Sequence, residues 1–409
     1  MSIEKLTVGI NFSGREIEVG ELVLSGRQIY FKYFADYLNM GLNLSPIKMP
    51  FDDHINSADP KLFEGLYGVF HDSLPDSWGK LLLDRMIVSK GIPSEQINPL
   101  DRLAYVGSTG MGALTYHPSI DDSQSGNDEI DLDNLFNESQ RVISGIESDI
   151  IDELFHLGGS SGGARPKVLV GANLATREII HGSQDLPEGF DHWLIKFAAS
   201  VDRPDIANIE TAYFRMAKEV GIEVPESTLF QGNSDKQYFG VKRFDRNGSN
   251  RLHMHSASGL MHDDHRYSQL DYGHIMDCAF QLEKSVVAYE KVFRIATFNV
   301  YSHNRDDHSK NFAFLMDQEG SWRFSPAYDL TYSSSSYGMH STAVAGESKN
   351  PGMKNLMKLA NVFGVKYADK IIDQVKEVLS SWDTYAKDCG VSKGSRTIIS
   401  KSIQGLLRD

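Results

Sequence analysis

The sequence predicts an α+β protein of two lobes, with a β-rich amino-terminal subdomain ahead of them and a mainly helical carboxyl-terminal lobe. Three observations carry this. Residues 1 to 35 alternate apolar and polar positions in the runs LTVGINF, REIEVGELVL and RQIYFKYF, separated by Ser-Gly pairs at 13–14 and 25–26, which is the pattern of a small antiparallel sheet. Further strand-like runs, HWLIKFA (192–198) and QYFGVKRFDR (237–246), flank a helical stretch, and from residue 271 onward the pattern is largely helical. A chain of 409 residues with 41% hydrophobic content exceeds one core and can fill several.

Composition excludes several classes. A formal net charge of -14 argues against holding nucleic acid by bulk electrostatics, so a nucleic-acid role would need a partner. Cys278 and Cys389 are the only cysteines, without metal-ligand spacing, which fits a reducing compartment. The first twenty residues lack the apolar run of a signal peptide and no stretch reaches membrane-spanning length, so a cytoplasmic location without membrane partners is expected.

After the first sheet, a helix is expected around Pro75–Arg85, and residues 102–118 read as two short strands about a glycine-rich bend. Residues 119–153 begin acidic and Ser/Asn-rich and become amphipathic, as a linker entering a helix would. Residues 158–163 contain four glycines and two serines. Such a backbone is able to turn several N–H groups toward one anion, or to form a hairpin tip, and it matches neither GxGxxG nor a Walker A loop. Strand alternation puts Trp193, Ile195 and Phe197 on one face and Lys196 on the other, either reaching out from a sheet edge or aimed at an anion. A helix with Asn208 as N-cap follows, burying Ile209, Tyr213, Ala217 and Val220, with Glu210 in its first turn.

An apolar helix ending near Val300 delivers the chain into YSHNRDDHSKNFAF (301–314). The segments 311–317 and 321–329 read as a hairpin turning at 318–320, which returns Asp329 to the end where Asn311 lies. His303-Asn-Arg305-Asp306 with Asn311 five residues after Asp306 repeats the spacing of a kinase catalytic loop, in which the Asp orients the acceptor hydroxyl and the Asn holds magnesium. One extra residue between His303 and Arg305, and Leu-Thr after Asp329 in place of Phe-Gly, depart from that pattern.

Taken in order, GGARPK (162–167), HWLIKF (192–197), VKRFDR (241–246), RDDHSKNFAF (305–314) and SPAYD (325–329), with PDSWGKLLLDR and AYVGSTGMGAL upstream, resemble the HipA-like serine/threonine kinases of bacterial toxin–antitoxin systems. The resemblance implies a two-lobed protein-kinase-like fold: an accessory subdomain (1–118), an acidic linker and helix (119–153), a nucleotide-binding lobe (154–248) and a catalytic lobe (249–409). It implies Asp306 as catalytic base, Lys310 as a second catalytic residue, and Asn311 and Asp329 as Mg2+ ligands. ATP contacts fall on Ser161, Gly162, Gly163, Ala164, Lys167, Lys196, Lys242, Phe244, Asp245 and His308, and autophosphorylation on Ser160. Asp307 stands where the family has glycine, leaving its part in metal binding open.

The resemblance further implies a small HipB-like helix-turn-helix antitoxin as partner, operator DNA through it, and a protein substrate such as an aminoacyl-tRNA synthetase. Two rival readings stand beside it. One is a catalytically silent kinase-fold protein that engages the antitoxin. The other is a di-metal phosphoesterase built on His303, Asp306, Asp307 and His308.

Overall fold

Strand pairing organises the amino-terminal third. In the computed structural model, which describes residues 2–120, 129–159, 163–182, 186–335 and 338–408, β1 (Lys5–Phe12), β2 (Arg15–Ser25) and β3 (Gln28–Tyr33) form an antiparallel ladder. The strands β4 (Asn56–Ser57) and β5 (Leu114–His117) complete the order β4-β3-β2-β1-β5. Alternate residues Leu6, Val8, Ile10 and Phe12 enter the core, as the pattern requires.

The helices α1 (Ala35–Met40), α2 (Gly68–His71), α3 (Ser77–Ser89) and α4 (Pro99–Val106) accompany this sheet. In α4 the structure corrects an expected strand at 102–106. Asn98 accepts hydrogen bonds from the Leu100 and Asp101 amides, and Pro99 starts the first turn, so a cap and a preset φ outweigh the β-like side chains. Next come α5 (Leu132–Ile143) and α6 (Ile151–Gly158). Because α6 runs to Gly158, the glycine-rich stretch joins a helix to a strand and is not a hairpin tip.

A second five-stranded sheet follows, formed by β6 (Lys167–Asn173), β7 (Glu178–His181), β8 (Asp191–Lys196), β9 (Ser227–Gln231) and β10 (Gln237–Lys242) in the order β7-β6-β8-β10-β9. Strand β8 is central, so Lys196 does not lie on a sheet edge. Val168, Val170, Trp193 and Ile195 line one face and pack against Trp78 and Leu82 of α3 and Phe155 of α6. The short β11 (Arg246–Asn247) and β12 (Asn250–Arg251) pair with each other, and β13 (His253–Ser256) follows.

By internal packing the chain divides into two units, Met1–Val201 with Phe230–His255 and Leu315–Ser321, and Asp202–Leu229 with Ser256–Phe314 and Trp322–Asp409. The second is mainly helical: α7 (Ile206–Glu219), α8 (Ala257–Met261), α9 (Tyr272–Glu283), α10 (Val287–Ser302), α11 (Met353–Phe363), α12 (Ala368–Ser380), α13 (Trp382–Asp388) and α14 (Lys393–Leu406). Helix α7 begins two residues before Asn208, which is no cap; its amide donates to the Cys389 carbonyl at 2.8 Å. The expected hairpin is present as β14 (Ala313–Met316) and β15 (Trp322–Phe324), closed by Asp317 N–H to Ser321 O and Ser325 N–H to Ala313 O. Its second strand stops at Phe324, and 325–329 continues as irregular chain. No helix among the described residues is long and apolar enough to cross a membrane.

The first unit carries a pH dependence. Burial, followed by the Arg243 and Arg246 guanidiniums, pushes His192 down to about 3, and burial does the same to His253. Unfolding returns both to about 6.5, so the unfolded chain binds more protons between pH 3 and 6.5. Stability is therefore level above pH 6.5 and falls as pH drops below it, by about 1 kcal/mol per histidine at pH 5.5. Urea unfolding at pH 7.5 and 5.5 should show the loss, reduced in His192→Gln, whereas equal midpoints would contradict it.

Candidate active site

Helix α10 ends at Ser302, and His303 takes the left-handed conformation (φ 60) that turns the chain out of the helix. The His303 ring stacks on Tyr332 at 5.0 Å, with Nδ1 3.2 Å from the Ser333 carbonyl. Burial, then Arg305, lowers its pKa and favours the neutral ring. From Asn304 a chain of hydrogen bonds runs inward. Its amide donates to Asn299 Oδ1 (2.9 Å), Asn299 donates to the Tyr272 hydroxyl (2.9 Å), and Tyr272 donates to Asp307 Oδ2 (2.8 Å). Burial, followed by Asp307, raises the Tyr272 phenol well above its ordinary range and keeps it a donor.

Asp307 is the hub of this loop. Its carboxylate also takes His340 Nδ1 at 2.9 Å, the Ser341 amide at 2.8 Å and the Thr342 amide at 3.3 Å. At 1% exposure it is enclosed by donors and is not free to hold a metal. Asp306, its neighbour, has a side chain 47% exposed, with Oδ1 3.8 Å from His308 Nε2. The Asn311 amide donates to the Asp306 carbonyl at 2.7 Å, which leaves Asn311 Oδ1 as an acceptor. The Tyr328 hydroxyl donates to the Lys310 carbonyl at 2.6 Å and ties the segment before Asp329 to the loop.

Asp306, Asn311 and Asp329 accordingly line one pocket, with Phe312, Phe324 and Pro326 as apolar walls. Its volume of about 10 Å3 is room for one water-sized centre. Asp329 sits at φ 52, where an Asp is tolerated better than most residues. Two carboxylates and an amide oxygen are the donor set that a hard cation such as Mg2+ prefers. The His308 ring lies 5.2 Å from that of His265, and its Nδ1 is buried without a hydrogen-bond partner.

In the first unit, Lys167 and Lys196 are direct cross-strand partners, and Lys196 faces Phe239 on the next strand. Both lysines share the sheet face opposite the Trp193 core, with Lys196 Nζ 5.7 Å from the Phe239 ring. The two side chains thus stand next to each other on a central strand pair. Lys242 does not join them. It registers with Trp193, hence on the other face, and ion-pairs with Asp191 at 2.7 Å.

Asp245 also departs from expectation. Its carboxylate is fully buried and receives the Gly112 amide, Arg243 Nε and Nη2, and Arg246 Nη1. Burial works against ionisation, yet the two guanidiniums hold its pKa well below the carboxylate range. Its side chain is an internal ion centre and is not available to a nucleotide. Phe244 beside it is half-buried, Ala164 is exposed, and the Gly163 amide donates to Asp76. Ser160, Ser161 and Gly162 lie outside the described residues. The di-metal reading loses its cluster, since Asp307 and His303 are engaged elsewhere and no group of three His, Cys, Asp or Glu among the described residues is placed to hold a metal.

Comparison with known proteins now becomes informative. The HipA-like C-terminal domain profile matches residues 159–382 and the HipA N-terminal domain profile residues 12–117. The chain belongs to the HipA-like family, and its fold is the two-lobed α+β kinase-like fold of that family. Two curated proteins named "Putative kinase" are similar in sequence. The one from Haemophilus influenzae is 24% identical over 220 residues, 50% of this chain and 62% of that protein. The other, Y4dM from Sinorhizobium fredii, is 25% identical over 151 residues, 34% of this chain and 36% of that protein. A chain from the Shewanella oneidensis MR-1 toxin–antitoxin complex of HipA, HipB and operator DNA matches with a TM-score of 0.70, covering 98% of this chain and 96% of that one at 16% identity. That likeness is one of fold.

Sequence reasoning missed the frame around Asp307. Its partners Tyr272 and His340 lie 35 and 33 residues away, beyond any local spacing rule. The hydrogen bonds make Asp307 a structural residue of the loop. Asp307→Gly should cost roughly 3 kcal/mol, because four buried donors lose their acceptor. A variant with the wild-type urea midpoint would contradict this.

Proposed function

We propose that this chain is an ATP-dependent serine/threonine kinase acting as the toxin of a toxin–antitoxin pair. The observation that carries the reading is the pocket lined by Asp306, Asn311 and Asp329, on a loop with kinase spacing. Asp306, half exposed, accepts the proton of the acceptor hydroxyl and aligns its oxygen. Asn311, its amide nitrogen committed to the Asp306 carbonyl, turns its oxygen toward the pocket, and Asp329 adds a carboxylate. When bound there, Mg2+ supplies charge neutralisation on the phosphates. Lys310 steadies the transferring group, and Lys196 with Lys167 provides the positive face for the remaining phosphates. Catalysis on this reading is positioning and electrostatics, with no covalent intermediate on the protein.

Family membership, and the names of the two relatives, support kinase chemistry. The chain spans 62% and 36% of those relatives, so the activity of the whole protein is part of the proposal. The Shewanella oneidensis complex supports a small HipB-like helix-turn-helix antitoxin as partner. With a net charge of -14, the chain would reach operator DNA through that partner. The protein substrate is of the class carrying an accessible Ser or Thr, an aminoacyl-tRNA synthetase by family precedent, and the site of action is the cytoplasm.

Nucleotide binding gives one test. Mg-ATP should raise the melting temperature by mass action, Lys196→Ala should lose most of that shift, and Asn311→Ala and Asp329→Ala should lose its dependence on Mg2+. A full, Mg2+-dependent shift in all three variants would sink the site assignment. Self-modification gives another. Protein incubated with Mg-ATP should gain one phosphate, mapped by tandem mass spectrometry to Ser160, and the modified form should bind ATP more weakly because about two negative charges then occupy the phosphate-facing stretch. A phosphate on Ser161 instead, or unchanged ATP affinity, would refute self-inhibition.

A further inference from the structure

The Pro75-Asp-Ser-Trp-Gly segment that opens α3 belongs by sequence to the accessory subdomain, yet it holds the glycine-rich stretch of the second sheet. The Asp76 carboxylate accepts the Gly163 amide, while the Trp78 amide donates back to the Gly163 carbonyl at 3.2 Å. The Trp78 indole, 2% exposed, donates to the Lys167 carbonyl at 3.3 Å. A Cβ on Gly79 would stand 2.1 Å from the Gly159 carbonyl oxygen, and one on Gly158 2.2 Å from that of Lys167. Contacts this close exist only because both positions lack a side chain. At the far end, a Cβ on Gly163 (φ 101) would meet Lys167 Nζ at 2.3 Å. One turn of helix thus fixes both described ends of the stretch and the strand that starts with Lys167. The rest of α3 is buried in the core beneath the sheet through Leu82, Leu83 and Met86, so the turn is a rigid support.

We infer that the turn Asp76–Gly79 is part of the nucleotide-binding element, with Asp76 a positioning residue that holds Gly163 and, with Trp78, the start of the strand carrying Lys167 for the ATP phosphates. The inference rests on the kinase reading above. It also reassigns Gly163. With its N–H given to Asp76, Gly163 anchors the stretch and is not itself a phosphate donor.

The test is titration of the full chain with Mg-ATP by calorimetry, alongside its melting temperature without nucleotide. Asp76→Ala should weaken ATP binding about tenfold, the loss of one charge-assisted hydrogen bond. Asp76→Asn, which keeps an acceptor oxygen, should stay within about twofold of wild type. Hydrogen exchange at the Gly163 amide should accelerate in Asp76→Ala while the nucleotide-free melting temperature stays near wild type. Should Asp76→Ala fail to fold, Gly79→Ala replaces it, since its methyl group pushes α3 away from Gly159, and weaker ATP binding is again expected. Wild-type or tighter ATP affinity in Asp76→Ala, or in Gly79→Ala where it stands in, would overturn the inference and leave the kinase reading intact. No ATP binding by the wild-type chain would overturn that reading, and this inference with it.

Discussion

The loop that follows α10 depends on one buried carboxylate. Placing Asp307 at 1% exposure is costly unless its oxygens are satisfied, and the protein meets that demand with donors from two separate places: Tyr272 of α9, and the segment 340–342 through the His340 ring and the amides of Ser341 and Thr342. Asn299 of α10 steadies the Tyr272 hydroxyl in turn. Asp307 is locked inward, while Asp306 beside it keeps a half-exposed side chain. An enclosed acid and an accessible one thus stand side by side in the loop.

The first unit shows the same physics with the signs exchanged. Asp245 is neutralised from within by Arg243 and Arg246 and has no exposed surface. Lys167 and Lys196 instead put two positive charges on neighbouring strands of one sheet face. A buried acid matched by two guanidiniums builds structure, and a pair of adjacent lysines concentrates positive charge on one sheet face. Residue types alone do not separate these roles; the sheet face and the neighbouring guanidiniums do.

Much of this was legible in the chain. Period-2 runs marked the first sheet, the apolar helix ending near Val300 marked α10, and the 318–320 turn marked the β14–β15 hairpin. What escaped detection was in one case a masked local signal and otherwise non-local. The helical character of 102–106 turned on the Asn98-Pro99 cap, a local signal that the β-like side chains masked. The start of α7 was misread at Asn208 because the N-cap position is Asp205, three residues earlier, whose carboxylate is held by Ser392 and Ser395. Asp245 was expected at the nucleotide through the family resemblance, and its burial against Arg243 and Arg246 shows that those guanidiniums consume its carboxylate. The bracket formed by Asp76 and Trp78 spans 87 residues to Gly163 and has no sequence signature beyond the small residue at position 79.

The central claim is that Asp306, half exposed beside its buried neighbour, serves phosphoryl transfer. The most direct measurement follows γ-labelled ATP in the presence of Mg2+, comparing wild type with Asp306→Asn and monitoring ATP binding in parallel. The account expects label transferred to protein by the wild type, transfer lost by at least about a hundredfold in Asp306→Asn, and ATP affinity retained in both. Transfer at the wild-type rate by Asp306→Asn, or none by a wild-type chain that binds Mg-ATP, would contradict it.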